Sequence, residues 1–229
     1  QMQASIRGYV AETQQLNEDL QTAHLATLYR LAIAAEYKDR DTSTHLNRVA
    51  AFSRLLGIKV GLSSGEADIL FHASLMHDVG KIGIPDGILL KPGIFTEEER
   101  RIMEEHTVIG GKILAEPNSK VMEAAREIAT SHHEWWNGTG YPRQLAGDSI
   151  PLWGRIVAIA DVMDSLLSKR PYKHAFSYQE AINLIAERSG SHFDPRLVKA
   201  LLDNTNDFLE INEFPVTAEI LDSLRPEIT

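Results

Sequence analysis

Residues 5–36 run without a proline, and apolar positions recur at Ile6, Val10, Leu16, Leu20, Leu28 and Leu31, a loose heptad-like spacing that predicts one long helix. Further along, Val49, Phe52 and Leu56 follow His45 at steps of four, three and four, and Ile69, Ala73 and Met76, at steps of four and three, come just before His77. Ser63/Glu66, Thr96/Glu99 and Ser177/Glu180 have the spacing of capping boxes, so helices should begin at each. Asp194-Pro195 is a cap followed by proline at the first helical position. Gly80 and Gly190 fall where helices should stop. No stretch alternates with period two between hairpin turns. The pattern therefore predicts an all-α protein of roughly eight to ten helices, with Gly/Pro-rich loops over 80–95 and 134–151.

The 229 residues, 43% hydrophobic and 24% charged, suit one sizeable domain with a flanking element. The best candidate for a membrane span, "RIVAIADVMDSLL", carries two aspartates and falls short of the ~20 apolar residues required, so no membrane segment is expected. The N-terminus lacks a charged-then-apolar signal pattern. Zero cysteines exclude disulfides and thiolate metal sites and fit a cytoplasmic location. The net charge of −9 disfavours a nucleic-acid polymer as partner; an anionic substrate would need positive charge concentrated locally, as a metal cluster does. The chain does not begin with methionine. Residues 1–22 are read as a connecting helix from an absent upstream domain, pairing in a homodimer or packed on the core, and 23–229 as the catalytic domain with its C-terminal helices.

Histidines supply the chemistry. His45, His77, His106 and His132 each sit on or beside an apolar helical face near a helix end, and His133 adjoins His132. Asp161 follows Val157 by one turn, and Asp164 lies three residues on. Buried singly, each group costs on the order of kcal/mol, whereas shared divalent metals would satisfy them together. Imidazole with carboxylate suits iron, manganese, zinc or nickel. Neighbouring His132 and His133 diverge by about 100° on a helix, so both reach one ion most easily at a fraying end, which "HHEWWNGTG" supplies.

"HDVGKIGIPD" with "HHEWWNGTGYP" resembles the HD-GYP domain, a branch of the HD metal-dependent phosphohydrolase superfamily. The likeness runs from about residue 25 to 205 and takes in "DRDTSTHLNRV", "KPG", "MEEH", "IPLWGRIVAIADVMDSL", "KRPYK" and "HFDP" in order. It implies an HD-type helical bundle that hydrolyses cyclic di-GMP to pGpG or GMP through a hydroxide bridging two metal ions. It also implies an upstream sensor or receiver domain and a protein partner at the GYP loop. By resemblance, His45, His77, Asp78 and Asp161 hold one ion, and Asp78 bridges to a second held by His106, His132 and His133. Lys81, Arg170 and Lys173 match phosphate-binding positions, and Asp39 and Asp164 match catalytic positions near substrate and metals. Gly140, Tyr141 and Pro142 shape the substrate pocket. Some members hold a third ion with a carboxylate four residues before the first histidine. Here that residue is Asp41, which serves equally as a helix N-cap. Two or three divalent ions are thus implied, iron or manganese favoured. Asn137 stands where the family usually has Asp, and both suit a turn. Packing is expected of Trp135, Trp136 and Trp153 ahead of stacking on guanine, and a turn-fixing role of His192. Three other readings stand beside this one: another cyclic dinucleotide such as cyclic GMP-AMP as substrate, a non-catalytic cyclic di-GMP sensor or interaction module, and an oxygen-using di-iron enzyme.

Overall fold

In a computed structural model, residues 2–39, 43–116, 119–168 and 175–213 are described. They form an all-α bundle. Its helices are α1 (Met2–Asp39), α2 (Ser43–Lys59), α3 (Ser64–Ser74), α4 (Asp86–Leu89), α5 (Glu97–Ile113), α6 (Lys120–Ala129), α7 (Leu152–Leu167), α8 (Tyr178–Glu187), α9 (Pro195–Asp203) and α10 (Thr205–Glu213). Two 3₁₀ turns, Val79–Gly83 and Gly147–Ser149, punctuate the long loops.

Local sequence fixes the helix starts. Ser63, Thr96 and Ser177 each make a reciprocal capping box with the glutamate three residues on. Asp194 caps α9 ahead of Pro195, accepting from Arg196 N. Ser119 caps α6 in the same way, without a glutamate to announce it. α2 and α7 carry the core: Val49, Phe52 and Leu56 meet Ile156, Ile159 and Met163, all essentially buried. α3 and α9 pack against α2, and α6 against α3 and α7. The first half of α1 stands apart, with Ile6, Val10, Leu16 and Leu20 exposed, whereas Leu28, Ala32 and Ala35 join the core.

One boundary differs from the expected one. The helix leading to His77 ends at Ser74, not at Gly80. Met76 N and His77 N donate to carbonyls three residues back, tightening the chain into turns before the 3₁₀ segment. Gly80 sits inside that segment for a tertiary reason: a Cβ there would overlap the His106 carbonyl oxygen and approach Gly110 N to 2.5 Å. The missing side chain lets the 3₁₀ turn lie against α5, which brings Asp78 to His106. Gly190 does follow a helix end, at φ +77°.

Candidate metal centre

Five elements converge on one buried point. α2 brings His45, the turn after α3 brings His77 and Asp78, α5 brings His106, the end of α6 brings His132 and His133, and α7 brings Asp161. Two groups form, each with its ligand-type atoms within 4.8 Å of one another: His45, His77 and Asp161; and Asp78, His106, His132 and His133.

Hydrogen bonding aims the rings. His77 Nδ1 donates to the Ser74 carbonyl at 2.8 Å, His106 Nδ1 to that of Met103 at 2.7 Å, and His132 Nδ1 to that of Ile128 at 3.0 Å. His45 Nδ1 donates to Asp164 Oδ2 at 2.6 Å. With Nδ1 used in all four, Nε2 is the atom each presents to the centre. The Nε2 atoms of His77, His106 and His132 are buried without a hydrogen-bond partner, as is Asp78 Oδ1. Such groups are unfavourable in a native interior unless something else meets them.

Asp78 lies between the groups. Its Oδ2 faces His77 Nε2 at 3.4 Å, and its Oδ1 faces His106 and His132 Nε2 at 3.3 and 3.5 Å. His45 and His77 Nε2 approach Asp161 Oδ1 at 3.8 and 4.0 Å. Burial opposes charge on Asp78, but Lys81, His77, His106 and His132 hold its carboxyl well below the usual range. Burial also lowers the His77 pKa, yet Asp78, with Asp161 and Glu36, lifts it to about 9. His132 and His133 are pushed the other way, by burial in both and by adjoining imidazoles, His133 well below its ordinary value. The centre therefore offers neutral imidazoles on one side and carboxylate-enriched surroundings on the other. Nitrogen and carboxylate donors converging without thiolate suit a divalent transition metal, and the residues fit such ions.

Asp164, expected near substrate and metals, lies beside His45. It is 1% exposed and bonds His45 on the ring nitrogen opposite the one facing Asp161, and it also accepts from Arg48 Nε. Placed behind the ring, it holds His45 with Nε2 turned towards Asp161. Arg48, one turn beyond His45, was not foreseen in this role. Lys81 Nζ pairs with Asp78 Oδ2 at 2.6 Å, so it lies at the edge of the ligand cluster.

The loop after His133 closes the other side. Tyr141 stacks on His133, ring centroids 4.7 Å apart at 27°, and burial together with Asp78, Glu104 and Asp161 keeps its phenol neutral. A Cβ on Gly140 would overlap Trp135 N and lie 2.5 Å from the His133 carbonyl oxygen, so that position admits only glycine. Pro142 follows, half-buried. Glu134, also unforeseen, is 2% exposed and accepts from Arg143 N at 2.7 Å and Leu145 N at 3.0 Å, tying the loop down. Asn137 accepts from Thr139 N and Oγ1, a turn that aspartate would make equally. Trp135 stacks on His192 and Trp136 lies under Arg155 and Arg196, so both pack within the protein as expected. His192 lies in the turn after α8, its N donating to the Arg188 carbonyl at 3.0 Å, and its own carbonyl accepts from Trp136 N. Asp41, Arg170 and Lys173 fall outside the described residues. Asp39 ends α1, and its side chain falls outside them too.

The HD domain family matches residues 13–197. The chain is 42% identical over 204 residues to the 3'3'-cGAMP-specific phosphodiesterase 2 of Vibrio cholerae, which covers 89% of this chain and 39% of that protein. It is 46% identical over 176 residues to the cyclic di-GMP phosphodiesterase response regulator RpfG of Xanthomonas campestris, covering 77% of this chain and 47% of that one. Among solved structures, a cyclic GMP-AMP specific phosphodiesterase of V. cholerae superposes with a TM-score of 0.65 at 24% identity, over 88% of this chain and 54% of the other, a likeness of fold. The chain thus spans less than half the length of these curated relatives. No helix among the described residues is long and apolar enough to cross a membrane.

Proposed function

The chain belongs to the HD-GYP branch of the HD domain family, and on that premise we propose that it is a metal-dependent phosphodiesterase that hydrolyses cyclic di-GMP to pGpG or GMP. One observation carries the reading: the buried Nε2 atoms of His77, His106 and His132 and the Oδ1 of Asp78, all without partners, converge from separate elements. His45, His77, Asp78 and Asp161 would hold one divalent ion, and Asp78, His106, His132 and His133 a second. Iron or manganese is favoured by the family resemblance; a third ion, held by some members, would fall at Asp41, which serves equally as a helix N-cap. Bound ions supply a Lewis acid and a nucleophile at neutral pH.

The protein's own groups do the rest. Asp164 and the backbone carbonyls of Ser74, Met103 and Ile128 hold the imidazoles in the tautomer that presents Nε2. Lys81 at the cluster's edge meets a non-bridging phosphate oxygen as a point charge. Tyr141, packed on His133 with Gly140 beneath the loop, walls the substrate side. Arg170, Lys173 and Asp39 join this site by resemblance. An upstream sensor or receiver domain and a partner at the GYP loop rest on resemblance alone. A homodimer along α1 is supported by its exposed Ile6, Val10, Leu16 and Leu20.

Cyclic GMP-AMP is a second reading, favoured by the relative named for it. Protein purified without oxygen and supplied with Fe²⁺ or Mn²⁺ should convert one of the two dinucleotides, followed by chromatography. Asp78→Ala should lower turnover on the order of a thousandfold and lose bound metal while staying folded. Near-wild-type turnover in that variant, with its metal content checked, would sink the two-metal assignment. Binding of both dinucleotides without turnover by metal-loaded wild type would point to a sensor instead.

A further inference from the structure

The turn that begins at Asp78 and carries Lys81 has little to hold its shape from within. It is five residues long, and 3₁₀ hydrogen bonds have poorer geometry than α-helical ones. Lys81 N donates to the Asp78 carbonyl at 2.9 Å, and Ile84 N to that of Lys81 at 3.0 Å. Neighbouring elements supply the rest. α5 is one clamp, with Gly80 seated at the His106 carbonyl. α1 is another, packed directly on the turn. In its last turn Lys38 donates to the carbonyls of Ile82 at 2.8 Å and Ile84 at 2.5 Å, and that of Lys81 lies 3.5 Å from the same ammonium. An ammonium carries three donors, and its bonds to carbonyls are charge-assisted. Lys38 also faces Asp86 Oδ1 at 3.4 Å, but that carboxylate is 73% exposed, so solvent weakens the pair.

We infer that Lys38 is a positioning residue for the centre: its ammonium gathers the carbonyls at the end of the 3₁₀ turn and so holds the backbone from which Asp78 and Lys81 project. The inference deepens the reading above, since it rests on Asp78 as a metal ligand and Lys81 as a phosphate contact. Lys38 acts through the main chain, because the bonds described for it on the turn go to carbonyls. It also ends the helix that precedes α2, so it ties the approach to His45 to the turn after His77.

Three variants test this. Lys38→Met removes the donors and keeps the aliphatic stem, Lys38→Arg restores a cation with donors, and Asp86→Asn removes only the exposed ion pair. In Mn²⁺-loaded protein, amide hydrogen exchange is followed over residues 79–84 and over α7, and Mn²⁺ retention is measured against a graded chelator. Melting temperature, kcat and KM complete the set. K38M should speed exchange at the Lys81 and Ile84 amides by about tenfold and leave α7 unchanged. It should hold Mn²⁺ about tenfold less tightly and lose about tenfold in kcat, with a smaller change in KM. K38R should recover most of each loss. D86N should stay within about twofold of wild type throughout. Unchanged exchange in the K38M turn, or exchange raised equally in α7 with a fall in melting temperature, would overturn the inference. So would a loosened turn that leaves Mn²⁺ retention and kcat intact. Wild-type protein that cuts neither dinucleotide would count against the proposed function alone, because the exchange and Mn²⁺ arms read the turn without substrate.

Discussion

Two buried polar clusters lie a few residues apart in this chain, and they are built on opposite terms. Around Trp136, Asp194 is 2% exposed and accepts from Arg196 N at 2.9 Å, from Arg196 Nε and Nη2 at 3.0 and 2.8 Å, and from Arg155 Nη1 at 2.6 Å. Both guanidinium groups face the indole, 5.7 and 5.3 Å from its centroid. Among the described residues, Arg155 Nε and the neighbouring His192 Nδ1 are left without a partner there. At the histidine centre three imidazole nitrogens and a carboxylate oxygen are left so. Burial and charge alone do not distinguish the clusters. What distinguishes them is whether the lone pairs are met within the chain. Around Trp136 both Asp194 oxygens are met from within the chain, which pins the loop of residues 134–151 to α9; at the histidine centre the Asp78 Oδ1 and three imidazole Nε2 atoms are not.

That contrast is open to test. Asp194→Ala should be the most damaging change to stability, about 1–3 kcal/mol by denaturant melts, because it removes the α9 cap and the buried acceptor of Arg155 and Arg196, which keep only exposed Asp148. It should leave metal stoichiometry in the folded fraction unaltered, and metal loss would blur the contrast. The acid limb sharpens it. Burial alone would raise the Asp194 pKa, but Arg196 and Arg155 depress it. A depressed carboxyl stabilises the fold above its unfolded value near 3.8 and loses that contribution as pH falls through the lower folded value. Asp194→Asn should therefore show a flatter stability profile than wild type below about pH 4. Next in size, Asp164→Asn should weaken metal affinity on the order of 10- to 100-fold by titration, since His45 loses its carboxylate partner. Unchanged affinity would mean that Asp164 does not orient that ligand. Smallest of all, Asn137→Asp should shift stability by less than about 0.5 kcal/mol, because either side chain accepts from Thr139.

How far the sequence could be read follows from how local each feature is. Capping boxes at Ser63, Thr96 and Ser177 involve residues three apart, so their pattern is complete in the sequence. The candidate histidines were visible because they lie on or beside apolar stripes, and the structure brings His45 and His77 together with Asp161, and His106, His132 and His133 with Asp78. The end of α3 was not visible, because Gly80 answers to the His106 carbonyl, 26 positions away, and not to its own helix. Asp164 looked like a site acid, and only the fold shows that it faces the back of His45. Glu36 had a signal that was passed over: an acid on the stripe of Leu28, Ala32 and Ala35, as anomalous there as any of the histidines.

The contact between Lys38 and the 3₁₀ turn has a mechanical consequence. α1 is 38 residues long, roughly 57 Å at about 1.5 Å per residue, and Ile6, Val10, Leu16 and Leu20 in its first half are exposed. A helix of that length is stiff on the scale of a side chain. Its far end and the carbonyls of Ile82 and Ile84 are therefore joined in series, like the two ends of a lever. Between those ends the helix is seated in the core through Leu28, Ala32 and Ala35, so a twist applied near Ile6 would reach the turn beside Lys81 only by shifting that packing.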